Sequence, residues 1–250
     1  VISIDGISKE FDLGSETVTA LDTLSHDVAA GRFVAVVGPS GCGKSTLLRL
    51  IAGLEKPSSG SIEIEAGRVR RPVGFVFQDA VLLPWKTVEA NVRFPLDTGG
   101  TKRALADAKV RELLELTGLS GFAKALPRQL SGGMKQRAAI ARALAEDPPI
   151  LLMDEPFSAV DLLTRETLND ELLRIWERTG KTVVLVTHSV EEAAYLADEV
   201  MVLSAHPGRL VKTYEVALAR PRNEATKLDR DYHELVAALR RDLRGGRIRP

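Results

Sequence analysis

Eight residues, GPSGCGKS at 38–45, stand between an apolar run, RFVAVV at 32–37, and a run with helical spacing, KSTLLRLIAGL at 44–54. They fit the pattern G-x-x-x-x-G-K-[ST] in the setting that gives the pattern meaning, a buried strand feeding a helix through a glycine turn. That order fits a mixed sheet with a buried parallel part. Gly38, Gly41 and Gly43 let the chain wrap tightly with its amides inward, and Pro39, Ser40 and Cys42 complete the turn. The positive end of the following helix adds to the field. Lys44 can reach the β- and γ-phosphates of a nucleotide, Ser45 can ligate Mg²⁺, and Thr46 adds a second hydroxyl. Cys42 reads as a small filler. Its place at a helix N-terminus predicts a lowered pKa and sensitivity to alkylation.

Strand and helix patterns alternate before residue 80 and after 148. VISI at 1–4, SIEIEAG at 61–67 and VGFVFQ at 73–78 read as strands, as do ILLMD at 150–154, TVVLVTH at 182–188 and EVMVLSA at 199–205. Between about 90 and 147 the period is helical. Val110, Leu113 and Leu114 share a face of one helix, and MKQRAAIARALAED at 134–147 reads as another, stopped by Pro148 and Pro149. The expected fold is an α/β phosphate-loop core with a mixed sheet and an inserted helical segment.

The run ILLMDEP places Asp154 at the carboxyl end of a buried strand, where such sheets hold their ligands. An Asp there suits a Mg²⁺ shell. Glu155 is not needed for one metal and suits a general base acting on water. Gln78 follows another strand and could orient water or touch the metal; His188 ends TVVLVTH and could contact a γ-phosphate. His26, His206 and His233 lack such a context and read as surface or packing residues.

Ser131, Gly132 and Gly133 precede a helix expected to start near Met134. Adjacent glycines are costly to order, so they imply a close approach to the backbone there.

Lys plus Arg and Asp plus Glu both number 34, so no global field draws the chain to nucleic acid or anionic lipid. A single cysteine excludes an intrachain disulfide and points to a reducing compartment. No apolar run approaches the roughly 18 to 20 residues that span a bilayer, and the first ten residues do not read as a signal peptide.

Taken together, GPSGCGKS, Gln78, LSGGMKQR, ILLMDEP and His188 resemble the ATP-binding subunit of ABC transporters, over residues 1 to about 235. The resemblance implies one ATPase domain over 1–250, with core 1–88 and 148–220, a helical subdomain at about 89–147, an antiparallel β subdomain and a C-terminal helical tail at 221–250. It implies ATP and Mg²⁺ as ligands. Residues 38–46 match the Walker A loop, Gln78 the Q-loop glutamine, Asp154 the Walker B aspartate, Glu155 the catalytic glutamate and His188 the switch histidine. Phe11 matches the aromatic that stacks on adenine. Ser131, Gly132 and Gly133 match the signature that meets ATP held by the other subunit of a homodimer, and Asp161 matches the loop linking the two sites. The chain has Val160 where the family commonly has Leu, which implies a small packing change at the dimer interface.

VLLPW at 81–85 follows Gln78 closely. It reads either as a loop with a buried Trp85 or as a surface that docks an integral membrane permease between Gln78 and Trp85. LLPW and the C-terminal DYHELVAALRRDL are similar to those of importers for nitrate, sulfonates and taurine. That likeness implies an indirect partner, a solute-binding protein outside the membrane, and a place on the cytoplasmic face of a bacterial membrane. An exporter or lipid-trafficking ATPase, or a soluble ABC ATPase, stays open beside it. The basic run RRDLRGGRIRP at 240–250 reads as a frayed tail or a docking segment.

Overall fold

The computed structural model describes residues 1–14, 16–67 and 69–245. Of the basic terminal run, 240–245 close the last helix and 246–250 lie outside the described residues. The first elements are β1 (Ile2–Asp12), β2 (Thr17–Val28), β3 (Phe33–Val37), α1 (Lys44–Ile51), β4 (Ser59–Ile64) and β5 (Val73–Val76). Then come α2 (Val88–Thr98), α3 (Arg103–Leu116), α4 (Gly132–Ala143), β6 (Ile150–Asp154) and α5 (Leu162–Thr179). The chain ends with β7 (Thr182–Thr187), α6 (Val190–Leu196), β8 (Glu199–Leu203), β9 (Leu210–Glu215), α7 (Glu224–Lys227) and α8 (Arg230–Gly245).

Two compact units result, Val1–Gly67 with Thr182–Pro250, and Arg68–Lys181. In the first, β2, β1 and β4 form an antiparallel sheet. Strand β3 lies between β7 and β8, parallel to both, and β9 pairs antiparallel with β8. Every residue of β3, β7 and β8 is buried, as expected for parallel strands covered on both faces. Strand β2 escapes the sequence reading because its partner β1 slips register three times along the pair.

In the second unit, β5 and β6 pair in parallel, joined by α2 to α5 and two short 3-10 turns, Ser120–Phe122 and Pro127–Gln129. Helix α5 buries Leu168, Leu172 and Ile175 on one face. It starts on the Asp161 cap and stops at Gly180, which has φ 61°, the left-handed ending that glycine permits. Helix α4 starts at Gly132, two residues before the expected Met134, because Ser131 supplies the cap.

Candidate nucleotide site

In the first unit, the phosphate loop leaves β3 and turns into α1. Gly41 and Gly43 have φ of 77° and 92°. A Cβ on Gly43 would lie 2.6 Å from the Ala20 carbonyl, and one on Gly38 would lie 2.6 Å from Cys42 Sγ. Lys44 is 6% exposed. Its Nζ donates to the carbonyls of Gly38 and Pro39, both at 3.0 Å, so the loop already curls around the ammonium. No side chain caps α1 at Gly43, which leaves its first-turn amides suited to an anion. Ser45 and Thr46 are half-buried in that turn and Ser40 is exposed.

Strand register carries His188 to the same edge. Val37 pairs with Thr187, so Gly38 and His188 are the next residues off two neighbouring strands, and His188 is exposed. Phe11 lies on β1, half-buried, with the Lys9 ammonium 4.8 Å from its ring centroid. His26 is not a simple surface residue, since its Nε2 lies 2.7 Å from Glu199 Oε1.

The expectation of a reactive Cys42 is corrected. Its side chain is fully buried, and burial raises its pKa above the ordinary thiol value. The filler reading holds, with Sγ occupying the space beside Gly38. Behind the loop lies Gly208, which no motif or spacing singles out. Its Cβ would fall 2.0 Å from the Cys42 carbonyl. Its own N–H donates to the Ala20 carbonyl at 3.0 Å.

In the second unit, Val76 pairs with Met153, so Gln78 and Glu155 each follow two residues beyond a matched pair. Asp154 is 8% exposed at the end of β6. Glu155 has φ 44°, a left-handed conformation that costs a non-glycine residue energy and often marks a functional site. The Gln78 side chain donates to Ser158 Oγ at 3.3 Å.

Ser131 Oγ accepts from the Met134 N–H at 3.3 Å. The two glycines differ. A Cβ on Gly133 would press on Thr164 at 3.2 Å and Leu168 at 3.4 Å, whereas one on exposed Gly132 would meet only Val160, at 3.4 Å. Gly133 therefore serves the packing of α4 on α5, and the open backbone belongs to Gly132. Asp161 is exposed; hydrogen bonds from the Thr164 side chain and then from the Thr164 N–H, the latter at 3.0 Å, hold its pKa below the ordinary value.

The segment after Gln78 is held by its backbone. Gln136 Nε2 donates to the Gln78 carbonyl at 2.7 Å. Arg142 donates to the carbonyls of Ala80 and Val81, at 3.1 and 2.8 Å. Asn91, fully buried, donates to the carbonyls of Leu83, Lys86 and Thr87 and accepts from the Leu83 N–H. Val81 has φ 41°, an outlier for a β-branched residue. On this fixed loop Trp85 is 73% exposed, so the buried-Trp alternative is excluded. In the same unit, Phe75, Phe77, Leu83, Phe94, Arg71 and Arg142 line a groove of about 370 Å³.

Each unit carries an oxygen donor of the kind Mg²⁺ takes, a hydroxyl on Ser45 in the first and a carboxylate on Asp154 in the second. Among the described residues no group of three or more His, Cys, Asp or Glu could hold a metal by itself. Mg²⁺ commonly takes one or two protein oxygens and completes its shell with phosphate and water.

Comparisons with known proteins agree with this geometry. The family model described as ABC transporter matches residues 21–158. An uncharacterized ABC transporter ATP-binding protein of Methanocaldococcus jannaschii is 44% identical over 244 residues, 96% of this chain and 91% of that protein. The aliphatic sulfonates import ATP-binding protein SsuB of Bacillus cereus is 44% identical over 250 residues, 99% of this chain and 98% of its own. Among solved structures, the ATP-binding cassette MJ0796, dimeric in a post-hydrolysis state bound to ADP and Pi, matches with a TM-score of 0.76. It is 34% identical, over 86% of this chain and 99% of that one. The phosphate-loop fold with its mixed sheet and helical subdomain is that of such cassettes. The chain belongs to the ABC transporter family, as an ATP-binding subunit related to the aliphatic sulfonate importers.

Proposed function

We propose that this chain hydrolyses ATP to power import of a small anion of the sulfonate, taurine or nitrate type through a membrane permease. Amides of residues 38–46 and the Lys44 ammonium hold the phosphates, and Phe11 stacks on the adenine. Ser45, Asp154 and Gln78 hold Mg²⁺, which when bound neutralises charge on the phosphate oxygens. Glu155 takes a proton from the attacking water. His188 contacts the γ-phosphate. Ser131, Gly132 and Gly133 meet the nucleotide of a second copy of the chain, and Asp161 links the paired sites. The dimer works at the cytoplasmic face of the membrane, with a solute-binding protein delivering the anion from outside.

The observation that carries the transport reading is the loop from Gln78 to Trp85. Three side chains fix its backbone while Trp85 stays 73% exposed. An exposed Trp on a fixed loop suits a docking anchor, and an ATPase working without a partner has no use for one. The sulfonate relatives named above support the substrate class.

Transport by the full chain assembled with its permease and binding protein tests the proposal. Taurine, alkanesulfonates and nitrate are supplied outside and ATP inside. Uptake of one of them, abolished by Glu155→Gln, is the expected result. Hydrolysis without uptake of any candidate overturns the importer reading and leaves the ATPase intact.

A further inference from the structure

Helix α6 starts two residues after His188 and has only seven residues. A helix that short is not stable by itself, so its position depends on what grips it. Residues that follow β9 grip it at both ends.

At the C-terminal end, Arg220 donates to the Leu196 carbonyl at 2.8 Å, and through Nε and Nη2 to Asp198 Oδ1 at 2.9 and 2.7 Å. Arg222, 7% exposed, donates to the carbonyls of Tyr195 and Ala197 at 2.9 and 2.7 Å. These guanidinium groups satisfy carbonyls that a helix end leaves open, and their charge suits that end.

At the N-terminal end, the grip comes from α8. The Tyr232 hydroxyl donates to the Glu191 carbonyl at 3.2 Å, and the ring itself is 6% exposed. Arg240 pairs with the Glu191 carboxylate. Glu191 accepts in turn from Ser189 Oγ at 3.1 Å. Ser189 caps α6 by accepting from the Glu192 N–H, and its own N–H donates to Thr187 Oγ1, both at 3.1 Å. The residues on either side of His188 thus belong to one hydrogen-bonded set that ends on α8. An exposed ion pair alone holds little; here it acts beside a hydroxyl on a buried ring.

We infer that α8 sets the position of His188 through Tyr232 and Arg240, so that hydrolysis, but not ATP binding, depends on α8 staying seated on Glu191. Tyr232 and Arg240 are positioning residues. The inference rests on the reading of His188 as the residue that contacts the γ-phosphate. It gives the C-terminal helix a regulatory use: whatever lifts α8 from Glu191 slows turnover with the nucleotide still bound.

The test measures kcat and KM for ATP, and the thermal midpoint, in the full chain. Tyr232→Phe keeps the buried ring and removes only the hydroxyl, and Arg240→Ala removes only the surface charge. Each is expected to lower kcat by about threefold to tenfold with KM unchanged, and to move the midpoint by less than about 2 °C. Arg240→Lys should recover most of the rate. His188→Ala is measured alongside. Loss of hydrolysis in His188→Ala with full kcat in Tyr232→Phe and Arg240→Ala overturns the inference and leaves the reading of His188. Full kcat in His188→Ala overturns both.

Discussion

The side-chain amide of Gln136 donates to the main-chain carbonyl of Gln78 at 2.7 Å. Helix α4 therefore holds two things at once. Its capped N-terminus presents Ser131 and Gly132, and its flank fixes the start of the loop that carries Trp85. If Ser131 and Gly132 meet a nucleotide as proposed, that contact and the loop are joined through one helix.

Replacing Gln136 by Leu should weaken this link. It takes from the Gln78 carbonyl a partner on a side chain only 5% exposed. The expected cost is about 1 to 3 kcal/mol, read as a lower urea midpoint. ATP affinity should hold, while stimulation of hydrolysis by the permease should fall. Unchanged stimulation in a folded variant removes the coupling role of Gln136.

Gly208→Ala should damage the phosphate loop by sterics alone. The added methyl would fall 2.0 Å from the Cys42 carbonyl and 3.0 Å from Leu21 Cδ2. Backbone has to move, at about 1 to 3 kcal/mol or more, and ATP affinity should drop with stability. Gly41→Ala is the contrast. It meets nothing within 4 Å but sits at φ 77°, so it carries only conformational strain of about 1 to 2 kcal/mol. Titration with a fluorescent nucleotide, beside thermal unfolding, separates the two. Wild-type behaviour in Gly208→Ala removes the backing role.

Cys42 should resist maleimide in the native chain. Burial withholds both access and thiolate, since its pKa is raised and the thiolate is the reactive form. Labelling at pH 7 should be complete in denaturant and negligible without it. Rapid native labelling contradicts the packing of the loop.

What was legible in the sequence was contiguous. The loop from Gly38 to Thr46, the run into Asp154 and the Ser131-Gly132-Gly133 step each sit within a few neighbouring residues, and their local pattern marks them. Gln136, Arg142 and Gly208 act on backbone atoms of segments far along the chain, and Gln136 reaches across 58 positions. A bond from a side chain to a carbonyl leaves no periodicity to read. The one trace is a polar residue on a buried helix face: Gln136 lies beside buried Ala138, Ala139 and Ile140. The pair of glycines could not be told apart for a related reason. One faces α5, the other is exposed, and spacing alone cannot separate them.

Glu155 holds a left-handed φ of 44° at the end of a buried strand. A Cβ in that conformation costs about 1 to 2 kcal/mol, and glycine does not bear the cost. Glu155→Ala and Glu155→Gly both remove the carboxylate, so both should bind ATP and fail to hydrolyse it. Glycine usually destabilises a chain relative to alanine by freeing its unfolded state. Here the order should reverse, or at least vanish, because relief of the native strain opposes that term. Paired denaturant curves decide it. If Glu155→Gly is less stable than Glu155→Ala by a full ~1 kcal/mol, the backbone there is not strained. If it is as stable or more so, the chain gives up stability to aim this carboxylate, and its turnover depends on a conformation that packing alone would not select.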